Sequence, residues 1–208
     1  DQSVKDPIPA QPIDPPTITV TFGINDSPLA GRDGKKVQSR VIRDRLLKEC
    51  ESNVAIKMVD TPGGEAFDVS GRGELQMGVL IENMRREGFE LSISRPRVIY
   101  KDVDGVKNEP IEEVTIDVDE EFSGAVIEKL SSRKGEMVDL KSSGSGKTRI
   151  IALVPSRGLI GYHSEFMTDT RGTGILNRVF HSWSPHKGSI AGRRQGVLIS
   201  MEKGSSVA

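Results

Sequence analysis

Apolar and polar positions along this chain switch between two periods, and the switching occurs twice. Ile18, Val20, Phe22 and Ile24 alternate with Thr17, Thr19, Thr21 and Gly23, the period of a strand with one buried face. Residues 25–36 (NDSPLAGRDGKK) are turn-rich. From residue 37 to about 50, Val41, Ile42, Leu46 and Cys50 fall at helical spacing, with Arg40, Arg43, Arg45 and Lys48 outside. Val54, Ile56 and Met58 alternate again, Pro62-Gly63-Gly64 turns the chain, and Phe67 and Val69 resume on a returning strand. Gly71 and Gly73 bracket Arg72 at a tight turn into a second helix, whose apolar face is Met77, Leu80, Ile81 and Met84. Glu82, Arg85 and Arg86 sit at pairing distance on the other side. Gly88 ends the helix as a left-handed cap would, and Phe89, Leu91 and Ile93 form a last strand. The order βαββαβ over residues 17–99 is the split, ferredoxin-like arrangement.

The same order follows once more. Val114, Ile116 and Val118 alternate; residues 123–134 are helical, with Val126, Ile127 and Leu130 inward; residues 137–141 form a strand. After the loop SSGSG come a strand through residues 150–154, a helix over about 159–168 and a strand over 173–183. The expected fold class is therefore α+β, two ferredoxin-like (βαββαβ) domains in tandem, one at 17–100 and one at 110–186. A polar linker, 101–109, joins them. Residues 1–16 hold five of the eleven prolines and read as a linker or the end of a preceding domain. Residues 184–195 are loop-like, and 187–208 is expected to be the start of a truncated C-terminal domain. Residues 196–201 (GVLISM) read as one more strand, the start of a truncated further domain or an edge addition to the second unit.

Composition adds bounds. With 208 residues, 35% hydrophobic and 28% charged, the chain can hold one large core or two small ones. No apolar run reaches the roughly 18 residues of a membrane span. The single cysteine, Cys50, excludes an internal disulfide and suits a reducing compartment. The first residue is Asp1, so the chain is expected to be a fragment of a longer protein. Net charge is −1, but it is unevenly spread: residues 1–123 carry 16 Lys/Arg against 24 Asp/Glu, and residues 124–195 carry 12 against 5. A basic second half attracts phosphate if its charges cluster.

The candidate chemistry is then narrow. SGSGKT, residues 143–148, resembles a phosphate-binding loop, but Lys141 stands where the first glycine is required and a strand follows where a helix is needed; it reads as a hairpin loop. His163, His181 and His186 have no metal-ligand spacing, and no Gly-x-Ser-x-Gly elbow occurs. Residues 109–121 (EPIEEVTIDVDEE) read as a strand with one wet face. Arg133 and Lys134 close a helix, where cations offset its dipole. Arg157 precedes a helix, where the dipole disfavours it, and together with His163, Arg171 and Arg178 it is expected to form a phosphate-contacting edge.

Three stretches carry a family resemblance: FGINDSPLAGRDGKKVQSR, GRGELQMGVLIENMRREGFELSISRPRVIY and VPSRGLIGYHSEFMTDTRGTGILN. From about Ile13 to Ala208 the chain resembles the BipA/TypA family of translational GTPases. The resemblance implies that residues 17–99 correspond to domain III and residues 110–186 to domain V, both ferredoxin-like, of an elongation-factor-G-like protein. A large domain lies between these modules in elongation factor G itself, and here about nine residues join them. The alternatives are a LepA-like elongation factor fragment, a ferredoxin-like enzyme such as an acylphosphatase built on Asn25 or Asn177, and a plain structural spacer. The resemblance further implies a preceding β-barrel domain and a GTPase domain outside this chain, which would hold GTP and Mg and leave this fragment no catalytic residue, metal or cofactor. The implied role is docking and coupling on the ribosome, in translation or ribosome assembly under stress such as cold, as a cytoplasmic or plastid-stromal monomer that meets no membrane. The implied rRNA contacts are Arg157, His163, Arg171, Arg178, Lys134 and Arg133. Arg72, Arg40, Arg43 and Lys36 would face the small subunit, ribosomal proteins or the protein's own GTPase domain.

Overall fold

The computed structural model describes residues 14–142 and 146–190. The strand expected at residues 196–201 lies outside the described residues. In the first unit, β1 (Ile18–Ile24), α1 (Ser39–Ser52), β2 (Lys57–Asp60), β3 (Ala66–Gly71), α2 (Glu74–Arg86) and β4 (Leu91–Ile93) follow the expected order. They form an antiparallel sheet β2-β3-β1-β4, and a short β5 (Arg97–Val98) pairs with β1 beyond β4. Alternation sends Val20, Phe22, Phe67 and Val69 to one face. Ile42 and Leu46 of α1 and Met77, Leu80 and Met84 of α2 close over that face as the core.

The second unit repeats this design with its own core. Strand β7 (Val106–Asp119), α3 (Glu120–Ser132), β8 (Glu136–Ser142), β9 (Lys147–Pro155), the short α4 (Ser156–Leu159), α5 (Tyr162–Asp169) and β10 (Ile175–Pro185) give the order β10-β7-β9-β8. Val114, Ile116, Ile150, Ala152 and Val154 meet Val126, Leu130, Tyr162 and Phe166. The protein is thus α+β with two antiparallel sheets, each covered by helices on one face. Among the described residues no helix is long and apolar enough to cross a membrane.

Four local expectations change. Residues 101–109 are not a linker: β6 (Lys101–Val103) and the start of β7 form a hairpin. Asp104 and Gly105 both have positive φ, 53° and 77°, as a two-residue hairpin turn requires, and the Asp102 carboxylate accepts the Gly105 N–H at 2.9 Å. Strand β2 starts at Lys57, because the Asn53 side chain accepts the Ala55 N–H and its carbonyl the Ile56 N–H, which holds residues 53–56 in a turn. The helix expected from residue 159 is two pieces, since Gly161 adopts φ 72° between α4 and α5. Residues 187–190, assigned to a further domain, fold back: Lys187 donates its N–H to Glu109 and its ammonium lies 2.8 Å from Glu136.

The two units meet through the turn that starts α2. Glu74, in the first turn of that helix, accepts the Gly161 N–H at 3.2 Å, and Arg178 of β10 lies 3.7 Å from Glu74 and 3.6 Å from Glu112. Ile160 of the second unit packs against the first core. At Gly71 a Cβ would fall 2.3 Å from the Met77 Cε and 2.8 Å from the Gln76 carboxamide oxygen, so the ends of these two side chains would have to move aside. Gly71→Ala should therefore cost no more than about 1 kcal/mol of unfolding free energy in urea titrations, the low end for overpacking, because only side-chain ends must move; a loss of about 3 kcal/mol would mean that Met77 and Gln76 cannot yield.

Candidate functional site

Which cations can meet a ligand depends on which are already held inside the protein. Glu109 is fully buried at the start of β7. Burial pushes its carboxyl up, but Arg157, the Lys187 N–H and the charge of His186 together outweigh that and hold it below the ordinary value. Arg157 donates to both Glu109 oxygens and, at 2.5 Å, to the Gly188 carbonyl. It therefore clamps β7, α4 and the chain after β10. Glu112 is also buried, so the wet face expected for residues 109–121 begins only at Glu113. The dipole objection to Arg157 at a helix start is met from inside, by a buried carboxylate.

The other arginines of the expected edge are similarly engaged. Arg133 donates to the Gly158 carbonyl at 2.9 Å and to Glu165, and its guanidinium stacks 4.8 Å from the centre of the Tyr162 ring. Burial pushes the Tyr162 hydroxyl up to about 12. Arg178 is half-buried between Glu74 and Glu112. In the first unit, Arg43 makes a two-pronged pair with Asp60 at 3.0 and 3.1 Å.

Others remain available. Lys134, His163, Arg171, Arg72 and Arg40 are exposed and make no ion pair among the described residues; Lys36 is exposed with its ammonium 4.7 Å from the Phe89 ring centre. The expected single edge does not form. Helices α3 and α5 run antiparallel: Arg171, after α5, lies 5.6 Å over Phe122 at the start of α3, whereas Arg133, after α3 and next to Lys134 in the chain, stands by Tyr162 and Glu165 of α5. The 13 residues of α3 put these ends roughly 20 Å apart. His163 and Arg178 do share a cleft of about 360 Å³ with Leu75, Leu159 and Leu176. Arg157 instead lines a different cleft with Arg95, Arg97 and Tyr100.

Two of the available cations sit in unusual backbone. Lys134 has φ 66° and Arg171 φ 50°, the left-handed region where a helix normally ends on glycine. In the first unit the loop 25–36 is held from within. The Glu90 carboxylate accepts the N–H groups of Gly31, Asp33 and Gly34 at 2.6–2.8 Å and the Asn25 amide at 3.2 Å. These backbone donors, Gly31 foremost, hold its carboxyl down to about 2. Asn25 is thereby committed to the loop. Among the described residues no group of three or more His, Cys, Asp or Glu is placed to hold a metal ion, and Lys147 and Thr148 lead into strand β9.

The basic positions missed by sequence reasoning lie around the hairpin: Arg95, Lys101, Lys107, and the aromatics Tyr100 and Trp183. Lys107 lies 3.7 Å over Tyr100 and Lys101 4.0 Å over Trp183. The signal for the hairpin was the dipeptide Asp104-Gly105, flanked by Val103 and Val106.

Comparison with known proteins gives the class first. The family model described as the elongation factor G C-terminus matches residues 106–194, which is the second unit from the first residue of β7. Over its length the chain is 52% identical to the large ribosomal subunit assembly factor BipA of Bacillus subtilis, covering 98% of this chain and 34% of that protein. The factors of the same name from Haemophilus influenzae and Escherichia coli are 51% and 50% identical, over 96% and 97% of this chain and 33% of theirs. The chain belongs to the BipA family, as a segment spanning about a third of the length of these curated relatives.

Two outcomes test the geometry. Arg157→Ala leaves Glu109 buried and unpaired, and should cost about 3–5 kcal/mol in chemical unfolding, whereas exposed Arg40→Ala should change stability by less than about 0.5 kcal/mol. Glu90 has a folded pKa below its ordinary value of 4.5, so its contribution is full above that value and is lost as pH falls through about 2. Amide exchange at Gly31, Asp33 and Gly34 should accelerate, beyond the intrinsic pH effect, between pH 4.5 and 2, and in Glu90→Gln it should already be faster than wild type above pH 4.5.

Proposed function

We propose that this chain is the ribosome-docking and coupling part of a translational GTPase that serves assembly of the large ribosomal subunit, including under stress such as cold. The observation that carries this reading is identity of about 50% across nearly the whole chain to factors named for large-subunit assembly. The GTPase domain, with its GTP and Mg, then lies outside this segment, which carries no hydrolytic step and works in the cytoplasm. The first unit stands toward the GTPase domain and small subunit through Arg72, Arg40 and Lys36; the second meets rRNA.

The chemistry of docking rests on the exposed cations. Arg157, Arg133, Arg178 and Arg43 are spent on intramolecular carboxylates, so Lys134 and Arg171, with His163, are the phosphate-contacting groups of the second unit. An L-residue in left-handed backbone costs roughly 1–2 kcal/mol. A glycine would fit both positions at less cost, and retaining a cation there is consistent with a use for its charge. A phosphate needs only that charge and its donors.

Co-sedimentation of the 208-residue chain with ribosomes over a salt series tests this. Lys134→Gly/Arg171→Gly should weaken binding and flatten the slope of log K against log salt by about 1.4, two contacts at roughly 0.7 each, while leaving stability unchanged or raised by up to about 1 kcal/mol. Equal pelleting of wild type and double variant would remove these two residues from the interface; no pelleting of wild type at low salt would place docking in other parts of the protein.

A further inference from the structure

A cleft lies at the junction of the two units and is not used by the docking cations above. It measures about 680 Å³ and is lined by Arg95, Pro96, Arg97 and Tyr100, with Thr19 and Asp68 of the first sheet and Arg157 and Ile160 of the second unit. Arg95 is exposed and makes no ion pair among the described residues; Arg97 is exposed, 3.3 Å from Asp68 and 3.0 Å from the Thr21 hydroxyl. Tyr100 is 40% exposed, unusual for so large a ring. Lys107 stands over it at 3.7 Å, and His186 lies tilted against it with ring centres 5.8 Å apart. Asp68 is the single carboxylate in the lining, and Arg97 already faces it.

An open cleft combining a half-exposed aromatic ring, a second ring beside it and a row of cations fits one ligand chemistry closely. A base offers a π-face to the tyrosine, and the phosphates on either side of it offer charge to Arg95, Arg97 and Lys107. The volume suits one or two nucleotides, within the range of small-ligand sites. A duplex would not fit, because its bases are already stacked and paired and present no free face. A plain anion would leave the ring without a role. We infer that the cleft lined by Arg95, Arg97 and Tyr100, with Lys107 beside it over the Tyr100 ring, binds one or two unpaired nucleotides of an RNA strand, stacking a base on the part of Tyr100 that Lys107 leaves open. The inference rests on the ribosome-docking reading for where such RNA would be met, but not for the chemistry. Arg157 forms a wall, with its Nε and Nη2 donors committed to Glu109 and Gly188.

The test is fluorescence anisotropy of the 208-residue chain with labelled hexauridylate, with a blunt RNA duplex and inorganic tripolyphosphate as competitors. Wild type should bind the single strand and be displaced poorly by duplex. Tyr100→Ala should weaken binding at least about fivefold, the lower end for loss of one stacked base, while Tyr100→Phe stays within about twofold. Arg95→Gln/Lys107→Gln should flatten the salt slope by about 1.4. Tyr100→Ala binding as wild type, or duplex or tripolyphosphate displacing the strand as well as hexauridylate does, would overturn the stacking site. Circular dichroism melts of the variants exclude a folding defect as the cause. The two readings fail separately: Lys134→Gly/Arg171→Gly should leave hexauridylate binding intact, so strand binding without ribosome pelleting defeats only the docking assignment, and pelleting without a Tyr100 effect on the strand defeats only this site.

Discussion

The pair formed by buried Glu109 and Arg157 is the constraint from which the second unit takes its shape. A carboxylate with no exposure to water is tolerated only when its charge is matched and its oxygens are bonded, and here two other pieces of chain answer that demand. Arg157 comes from the short helix after β9, the Lys187 N–H from the chain leaving β10, and Glu109 from β7. The Gly188 carbonyl takes a further guanidinium donor. The residues after β10 are tied into the domain by polar groups, and the direction of α4 follows from where its arginine must point.

That tie also explains how charge is divided over the surface. Of the basic residues in the second unit, those closest to the helix starts and the domain junction are bonded internally, and those in left-handed turns at the helix ends are left in water. The junction uses the same economy. Glu74 serves as the cap partner of Gly161 and as a neighbour of Arg178, so the turn Gly71-Arg72-Gly73 that opens α2 also fixes where the second unit sits. At position 71 the end of the Met77 side chain occupies the space a methyl group would take.

Most of the fold was legible from periodicity. The alternation of Val20 and Phe22, and of Val114, Ile116 and Val118, names the buried face of each sheet, and the spacing of Met77, Leu80 and Met84 names a helix face. What could not be read was burial of charge. Nothing in EPIEEVTIDVDEE distinguishes Glu109 and Glu112, which are inside, from Glu113, which is outside, because their partners lie tens of residues away. The expected basic edge failed for the same reason: charge is visible in sequence and its pairing is not. The polar run at 101–109 was taken for a linker because short strands rich in lysine and aspartate lack an apolar rhythm, although Asp104-Gly105 marks the turn. The family resemblance, by contrast, rested on long motifs and was carried by residues that both cores and the junction use.

Strand β7 is 14 residues long and spans roughly 46 Å at 3.3 Å per residue. It is the central strand of its sheet for most of that length, flanked by β9 and β10, and then runs on into the β6–β7 hairpin. It is paired almost to the turn, since β10 follows it to Asn108 and the His186 N–H donates to the Lys107 carbonyl at 3.0 Å, with the Glu109 clamp one residue further on. The turn at Asp104 and Gly105 is thus joined by one continuous run of backbone to the strand that carries the Glu109 clamp.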